Sequence, residues 1–219
     1  MAKTNAHSDN VLNVLRNTTL TAPANVYAGL LTAVTTKESA SVTETTYTGY
    51  ARVAVTFGAP AAGGGGRQVA NSSAVTFGQK TDAGSVTIVA VGIYDAITAG
   101  NLWYVIYLDG GSPIVGTLID TTNDDFISAA HGLAQDDRVV FEIMPGTGAL
   151  PAPIAEDTVY WVIAAGLTAD QFRVSTTQGG GAVNVTAAGR FVALPLTPVT
   201  VNQNDTPEFA TGQLVIQED

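Results

Sequence analysis

A chain of 219 residues that is 46% hydrophobic and only 13% charged has the apolar material of a folded protein rather than a disordered one, and its length allows one large or two small cores. Lys and Arg number 9 against 19 Asp and Glu, a net charge of -10; the basic residues, among them Arg16, Lys37, Arg52, Arg67, Lys80, Arg138, Arg173 and Arg190, are scattered singly, which excludes direct nucleic-acid binding and an anionic membrane surface. The absence of cysteine excludes disulfides and thiolate metal sites, so stability has to come from packing or from neighbouring subunits.

Abundant Thr, Val, Ala and Gly favour half-buried strands joined by tight turns, an all-β fold. The first ten residues contain no apolar segment of the kind a signal peptide needs, and no run approaches the roughly 20 apolar residues of a membrane span; the chain is expected to be soluble and made without export. The first element predicted is a short helix. Ser8 or Asp9 would cap it, Val11, Leu12, Val14 and Leu15 would crowd its inward side, and Asn17-Thr18-Thr19 would end it. Two turns are marginal alone, so this helix must lean on the β core or on a neighbouring subunit.

Strands follow at Val26 to Thr32, at Ala51 to Phe57 with Val53, Val55 and Phe57 on one face, at Ala74 to Phe77, and at Ser85 to Tyr94, which is long enough to cross a whole sheet. The Thr35 to Thr46 segment reads as a polar loop, and Pro60 to Gly66 as a flexible tip, because consecutive glycines are costly to order. After a turn at Asp95 to Asn101, an aromatic strand runs from Leu102 to Leu108. A Gly-Gly-Ser-Pro turn then interrupts the pattern, and similar phrasing resumes only at Pro195, with strands at Pro198 to Val201, Pro207 to Phe209 and Gln213 to Gln217.

Between them, residues 115–194 read as a second small β domain inserted in a loop of a discontinuous framework, residues 1–114 plus 195–219. Its expected strands are Phe126-Ile127, Arg138 to Ile143, Thr158 to Ile163, Gln171 to Ser175 and Ala182 to Val185, with turns at Gly146 to Pro153 and Gly179 to Gly181. Strands at about ten-residue spacing indicate a β-sandwich or barrel-like framework.

Chemistry-bearing residues are few. His131, in an Ala-Ala-His-Gly-Leu turn near Asp124, Asp125, Asp136 and Asp137, could form a His–carboxylate pair, but no nucleophile accompanies it, and a turn histidine bonded to backbone is the favoured reading. His7 lies in a terminus that reads as mobile, and two lone histidines make a poor zinc set. The Asn123-Asp124-Asp125 and Asp136-Asp137 carboxylates lack the spacing and glycine of a calcium loop and read as solvated turn residues. Gly63 to Gly66 and Gly179 to Gly181 lack the Gly-Lys-Ser/Thr ending of a phosphate cradle. The Asn-x-Ser/Thr sequences at Asn17, Asn71, Asn184 and Asn204 are chance matches in a Thr-rich chain. Trp103, Tyr104 and Tyr107, with Tyr160 and Trp161 in the insert, are assigned to core packing ahead of sugar stacking. The reading contains no catalytic, cofactor-binding or metal residue and no cofactor.

The framework pieces Val26-Tyr27-Ala28-Gly29-Leu30-Leu31-Thr32, Thr43-Glu44, Gly49-Tyr50-Ala51-Arg52, Asn71-Ser72, Val75-Thr76-Phe77, Gly92-Ile93-Tyr94-Asp95-Ala96, Gly100-Asn101-Leu102, Asn204-Asp205-Thr206-Pro207 and Gly212-Gln213-Leu214 resemble, in order and spacing, a family of tailed-bacteriophage virion structural proteins, the capsid-decoration and tail-fibre β proteins. The insert, with His131-Gly132-Leu133, Asp136-Asp137-Arg138-Val139, Leu150-Pro151, Val159-Tyr160-Trp161-Val162 and Asp170-Gln171-Phe172-Arg173-Val174-Ser175, resembles a module common in phage structural proteins. The resemblance implies a non-enzymatic virion component assembled in the bacterial host cytoplasm. Its first expectation is a capsid decoration (cement) protein on the head surface, partnered by the major capsid protein or by copies of itself. The alternative is a tail- or fibre-associated protein, whose insert would meet a host surface glycan.

Overall fold

The computed structural model describes residues 2–38, 41–63, 66–109, 111–116, 118–143 and 149–218. The chain divides into two compact units, Met1–Leu108 with Val199–Asp219, and Asp109–Pro198. Unit 1 holds β1 (Ala2–Lys3), α1 (Asn5–Val14), β2 (Val26–Val34), β3 (Val42–Glu44), β4 (Val53–Val55), β5 (Ala61–Ala62), β6 (Arg67–Ala70), β7 (Val75–Thr76), β8 (Val86–Ile88), β9 (Ala90–Tyr94) and β10 (Leu102–Tyr107). Unit 2 holds β11 (Ile114–Gly116), β12 (Leu118–Asp120), β13 (Asp125–Ile127), β14 (Arg138–Glu142), β15 (Val159–Ile163), β16 (Gln171–Ser175) and β17 (Phe191–Leu196); the chain then returns to unit 1 as β18 (Val199–Val201), β19 (Glu208–Phe209) and β20 (Val215–Glu218). The ladders between these strands are all antiparallel, and no sheet closes into a barrel among the described residues.

In unit 1 the main sheet runs β1-β10-β9-β2-β3, with β4 also on β2. Central β9 is buried at every residue, which fits its uninterrupted apolar sequence. Small sheets β18-β8, β19-β7 and β20-β6-β5 complete the unit, and Leu30, Phe77, Ile88, Val91, Ile93, Leu214 and Ile216 fill its core. Each of the three returning strands therefore pairs with a strand from the first half of the chain.

The Ser85 to Tyr94 strand is in fact two strands. At Val89 the chain changes sheets: Val89 N–H donates to Leu31 O at 2.8 Å and Val89 O accepts from Leu108 N–H at 3.1 Å, while β8 turns to β18 with Ile88 opposite Val199. Part of the polar Thr35 to Thr46 segment forms β3, and part of the Pro60 to Gly66 tip pairs as β5 with β6; its Gly64 and Gly65 lie outside the described residues, as does most of the glycine-rich start of the Gly146 to Pro153 turn.

The helix also departs from expectation. Thr4, not Ser8 or Asp9, is its N-cap; the buried Thr4 hydroxyl accepts from His7 N–H and donates to Leu102 O at 2.7 Å. That long-range bond fixes the N-terminal turn on β10 and buries His7, so the terminus is docked rather than mobile. Val11, Leu12, Val14 and Leu15, expected to face inward, are 42%, 59%, 48% and 83% exposed. The anchor sits at the opposite end of the helix from them.

Unit 2 is one seven-stranded sheet ordered β11-β17-β14-β15-β16-β13-β12. Laid flat, its edges would stand roughly 29 Å apart at about 4.8 Å per strand, yet edge strands β11 and β12 are consecutive in the chain, within about 7 Å of one another. The sheet is therefore rolled, and among the described residues no ladder joins β11 to β12. Inside the roll, fully buried Phe126, Phe141, Phe172 and Phe191 meet in tilted, stacked and edge contacts with centroids 4.9 to 5.9 Å apart, each ring worth about 1.5–3 kcal/mol of burial. Gly116 opposes Phe191 across the ladder, and a Cβ there would lie 2.1 Å from the ring. The Ala182 to Val185 segment forms no strand; Val183 N–H bonds Val174 O and Val185 is buried as a loop residue. Pro195, where the framework was expected to resume, is still in β17 opposite Val139.

Candidate functional site

The sequence pieces that stand out in the framework converge in unit 1. Beneath β2, Arg52 grips Glu44 in a fork, Nε to Oε1 at 3.0 Å and Nη2 to Oε2 at 2.7 Å, while Nη1 donates to Ala96 O at 2.9 Å and Ala99 O at 2.6 Å. The guanidinium lies 3.4 Å over the Tyr94 ring. Tyr50 hydroxyl donates a short hydrogen bond to Glu44 Oε1 and accepts from Leu30 N–H at 3.0 Å. Gly29 is needed here, because a Cβ would stand 2.9 Å from Glu44 Oε1 and 3.1 Å from the Tyr50 oxygen. Burial, then the hydrogen bond to Glu44 and its charge, pushes the Tyr50 phenol far above its ordinary range. Tyr94 is pushed up to about 12 by burial and the Glu44 charge against the opposing pull of Arg52. A carboxylate held by a bidentate arginine and a neutral phenol is committed to those partners; it is a structural clamp.

Other motif residues bind the two halves of unit 1 together. Buried Asn71 donates through Nδ2 to Ser73 O and Ala210 O and accepts Leu214 N–H at Oδ1, at 2.8 to 2.9 Å. Asp205 O accepts from Lys80 N–H, and Asn204 N–H donates to Lys80 O. Asp95 locks the Gly100-Asn101 turn by accepting from both the backbone and side-chain nitrogens of Asn101. Buried Lys80 donates to Asp82 O and Ala83 O and pairs with Asp82 at 3.2 Å, closing one side of a polar cavity of about 410 Å³ bordered by Thr43, Thr45 and Ser85.

The second concavity of unit 1, of about 310 Å³, is walled by Val26, Phe57, Val69, Ile93, Trp103 and Ile216. At its border Tyr104 hydroxyl donates to Glu218 Oε1 at 2.5 Å and lies 2.8 Å from His7 Nε2, while Lys3 Nζ holds Glu218 Oε2 at 2.8 Å. Burial lowers the His7 pKa against the raising effect of Glu218. For Glu218, burial raises the pKa, but the hydrogen bonds from Lys3 and Tyr104 together bring it below the usual carboxylate value. This chain ties the first residues to the last, 215 positions away. No local pattern announces it.

The residues singled out in the insert are dispersed among structural tasks. His131 Nδ1 accepts Leu133 N–H at 3.0 Å, and its ring sits edge-on to Phe172. Asp124, at φ 63°, accepts Val185 N–H at 2.7 Å. Asp125 is buried, not solvated, and pairs with Arg173 at 2.6 Å; Asp137 accepts Ala134 N–H. Tyr160 is buried with its hydroxyl accepting Ala155 N–H, and the Arg138 guanidinium lies 4.0 Å over the Trp161 ring. Of the strand aromatics, Tyr104 and Tyr107 are buried, and Trp103 and Tyr104 both line the apolar cavity. Among the described residues no three His, Asp or Glu side chains are grouped to hold a metal ion, and no helix is long and apolar enough to cross a membrane.

A search of curated proteins found no relative of the chain. The family model described as podophage GP4 fiber I protein gp80 matches residues 2–117, just over half of the chain, spanning the clamp, the Asn71 and Asp95 ties and the aromatic strand. The chain therefore belongs to the podophage GP4 fiber I protein gp80 family, a family of structural proteins of the tailed-phage virion.

Proposed function

We propose that this protein is a non-enzymatic fibre component of the virion, in which unit 1 is the attachment framework and unit 2 an accessory module. The family's own description as a fiber protein carries the choice of fibre over capsid decoration. The chemistry of the motif residues supports a role in assembly: Glu44, Tyr50, Arg52, Asn71 and Asp95 are each engaged in internal ties, and a side chain already bonded on every side has little to offer a substrate. Partners in this reading are other virion proteins and further copies of the chain. Contacts repeated around a symmetric particle supply avidity without a single strong interface.

Counting the protein per virion by quantitative mass spectrometry, with immunogold labelling of intact particles, tests the reading. A few to a few dozen copies with label at the tail supports a fibre component. Hundreds of copies with label over the head would replace it with capsid decoration.

A further inference from the structure

The apolar cavity of unit 1 takes its walls from both stretches of the chain, Val26, Phe57, Val69, Ile93 and Trp103 from the first and Ile216 from the second. At about 310 Å³ it is about twice the roughly 150 Å³ apolar cavity that takes a benzene-sized molecule, and it falls at the small end of ligand sites. Its charged lining residues stand at the margin. Arg67 and Pro60 are exposed and joined to each other, Nη2 donating to the Pro60 carbonyl at 2.6 Å, and the Gln68 side chain lies against Gly63. Glu218, opposite Arg67 across the β6–β20 ladder, is held by Lys3. Opposite charges so placed favour a neutral molecule over an ion.

His7 supplies the polar exception on the wall. Tyr104, which also lines the cavity, gives its proton to Glu218 at 2.5 Å, so toward His7 Nε2, 2.8 Å away, the Tyr104 oxygen acts as the acceptor. Nε2 therefore carries the imidazole proton. Burial holds the His7 pKa below its ordinary value, so at neutral pH the ring is uncharged and Nδ1 keeps its lone pair. Among the described residues this buried Nδ1 has no hydrogen-bond partner. A buried acceptor without a donor is costly, and a molecule that donates to it removes the cost.

We propose that the unit 1 cavity binds a small neutral aromatic molecule of the phenol or indole class, its ring packed between Phe57, Trp103 and Ile216 and its single O–H or N–H donating to His7 Nδ1. The aromatic walls suit a flat ring, and the lone acceptor suits one donor. Because both stretches of the chain line the cavity and His7 belongs to α1, occupancy stabilises unit 1 and fastens the helix to the framework. This inference does not depend on where the protein sits in the virion.

The test uses the purified full chain with phenol and toluene as probes, two rings of similar size that differ in the donor. In calorimetric titrations phenol is expected to bind, and the ratio of phenol to toluene affinity to fall about tenfold in His7→Phe, the worth of one hydrogen bond to a buried acceptor. Toluene binding, kept in that variant, shows the cavity intact. A second readout stands whether or not His7→Phe folds. Long-range proton–nitrogen correlation spectra report both imidazole nitrogens, and because the chain has two histidines, His131→Gln identifies the His7 signals. His7 Nδ1 is expected to resonate as an unprotonated nitrogen and to move on titration with phenol but not with toluene. No phenol binding at millimolar concentration, an unchanged affinity ratio in a His7→Phe variant that still binds toluene, a protonated Nδ1, or an Nδ1 signal unmoved by phenol each overturns the proposal.

Discussion

Units 1 and 2 reach stability by different means. Unit 2 is a continuous segment whose rolled sheet closes over four buried phenylalanines, with Asp125–Arg173 as its buried-end ion pair. Unit 1 is assembled from two stretches of chain, and its core is supplemented by polar side chains that reach across the gap, Asn71 to Leu214 and Lys3 and Tyr104 to Glu218, and by backbone bonds between Lys80 and the Asn204-Asp205 turn. A contiguous module can rely on non-directional burial. A fold interrupted by 90 residues, those from Asp109 to Pro198, gains from directional bonds that specify which distant strand belongs where.

Substitutions should separate the two strategies. The largest effect is expected from Phe172→Ala, which leaves a cavity in the ring cluster and should cost about 3–5 kcal/mol; calorimetry should show unit 2 melting earlier while unit 1 keeps its transition. One joint transition moving as a whole would mean the units are not independent. Arg52→Ala leaves the Glu44 carboxylate without its fork and should cost about 3 kcal/mol in unit 1 alone, readable by urea denaturation with hydrogen exchange at Leu30. Asn71→Ala removes three side-chain hydrogen bonds and strands buried Leu214 N–H, at about 1–3 kcal/mol; faster exchange of the β20 amides should accompany it, and an unchanged rate there would refute the stapling role. The smallest effect is pH dependence. With the folded His7 pKa below the ordinary 6.5, the unfolded chain binds the proton better, so unit 1 should lose stability as pH falls below that value. His7→Gln should flatten the slope of melting temperature against pH between about 7 and 5.

The sequence made the local ladders legible. Alternation at Val53, Val55 and Phe57 and the aromatic run from Leu102 reflect periodicities that neighbouring residues set. What stayed hidden depends on partners far away. Thr4 and Ser8 are both sound caps, and only the bond from Thr4 to Leu102, 98 residues on, selects the first. Val89 carries no glycine or proline to mark a change of sheet. Strand β17 was disguised by Pro195, which demotes a strand; it is tolerated because the β11 ladder stops at Ala193. The Glu44, Tyr50 and Arg52 motif pieces could be read as belonging together, but the clamp they form with Tyr94 required the fold.

The sheet change at Val89 has a practical meaning for how such chains diversify. Leu108, the last residue of unit 1 before the excursion, bonds Val89, and Val199, the first after it, stands opposite Ile88. Departure and return thus flank two consecutive residues, on the order of two strand spacings or about 10 Å apart, a gap that three residues bridge. A doorway that narrow is indifferent to what is spliced through it: a short loop or a foreign cassette of any length would leave the surrounding strands in register.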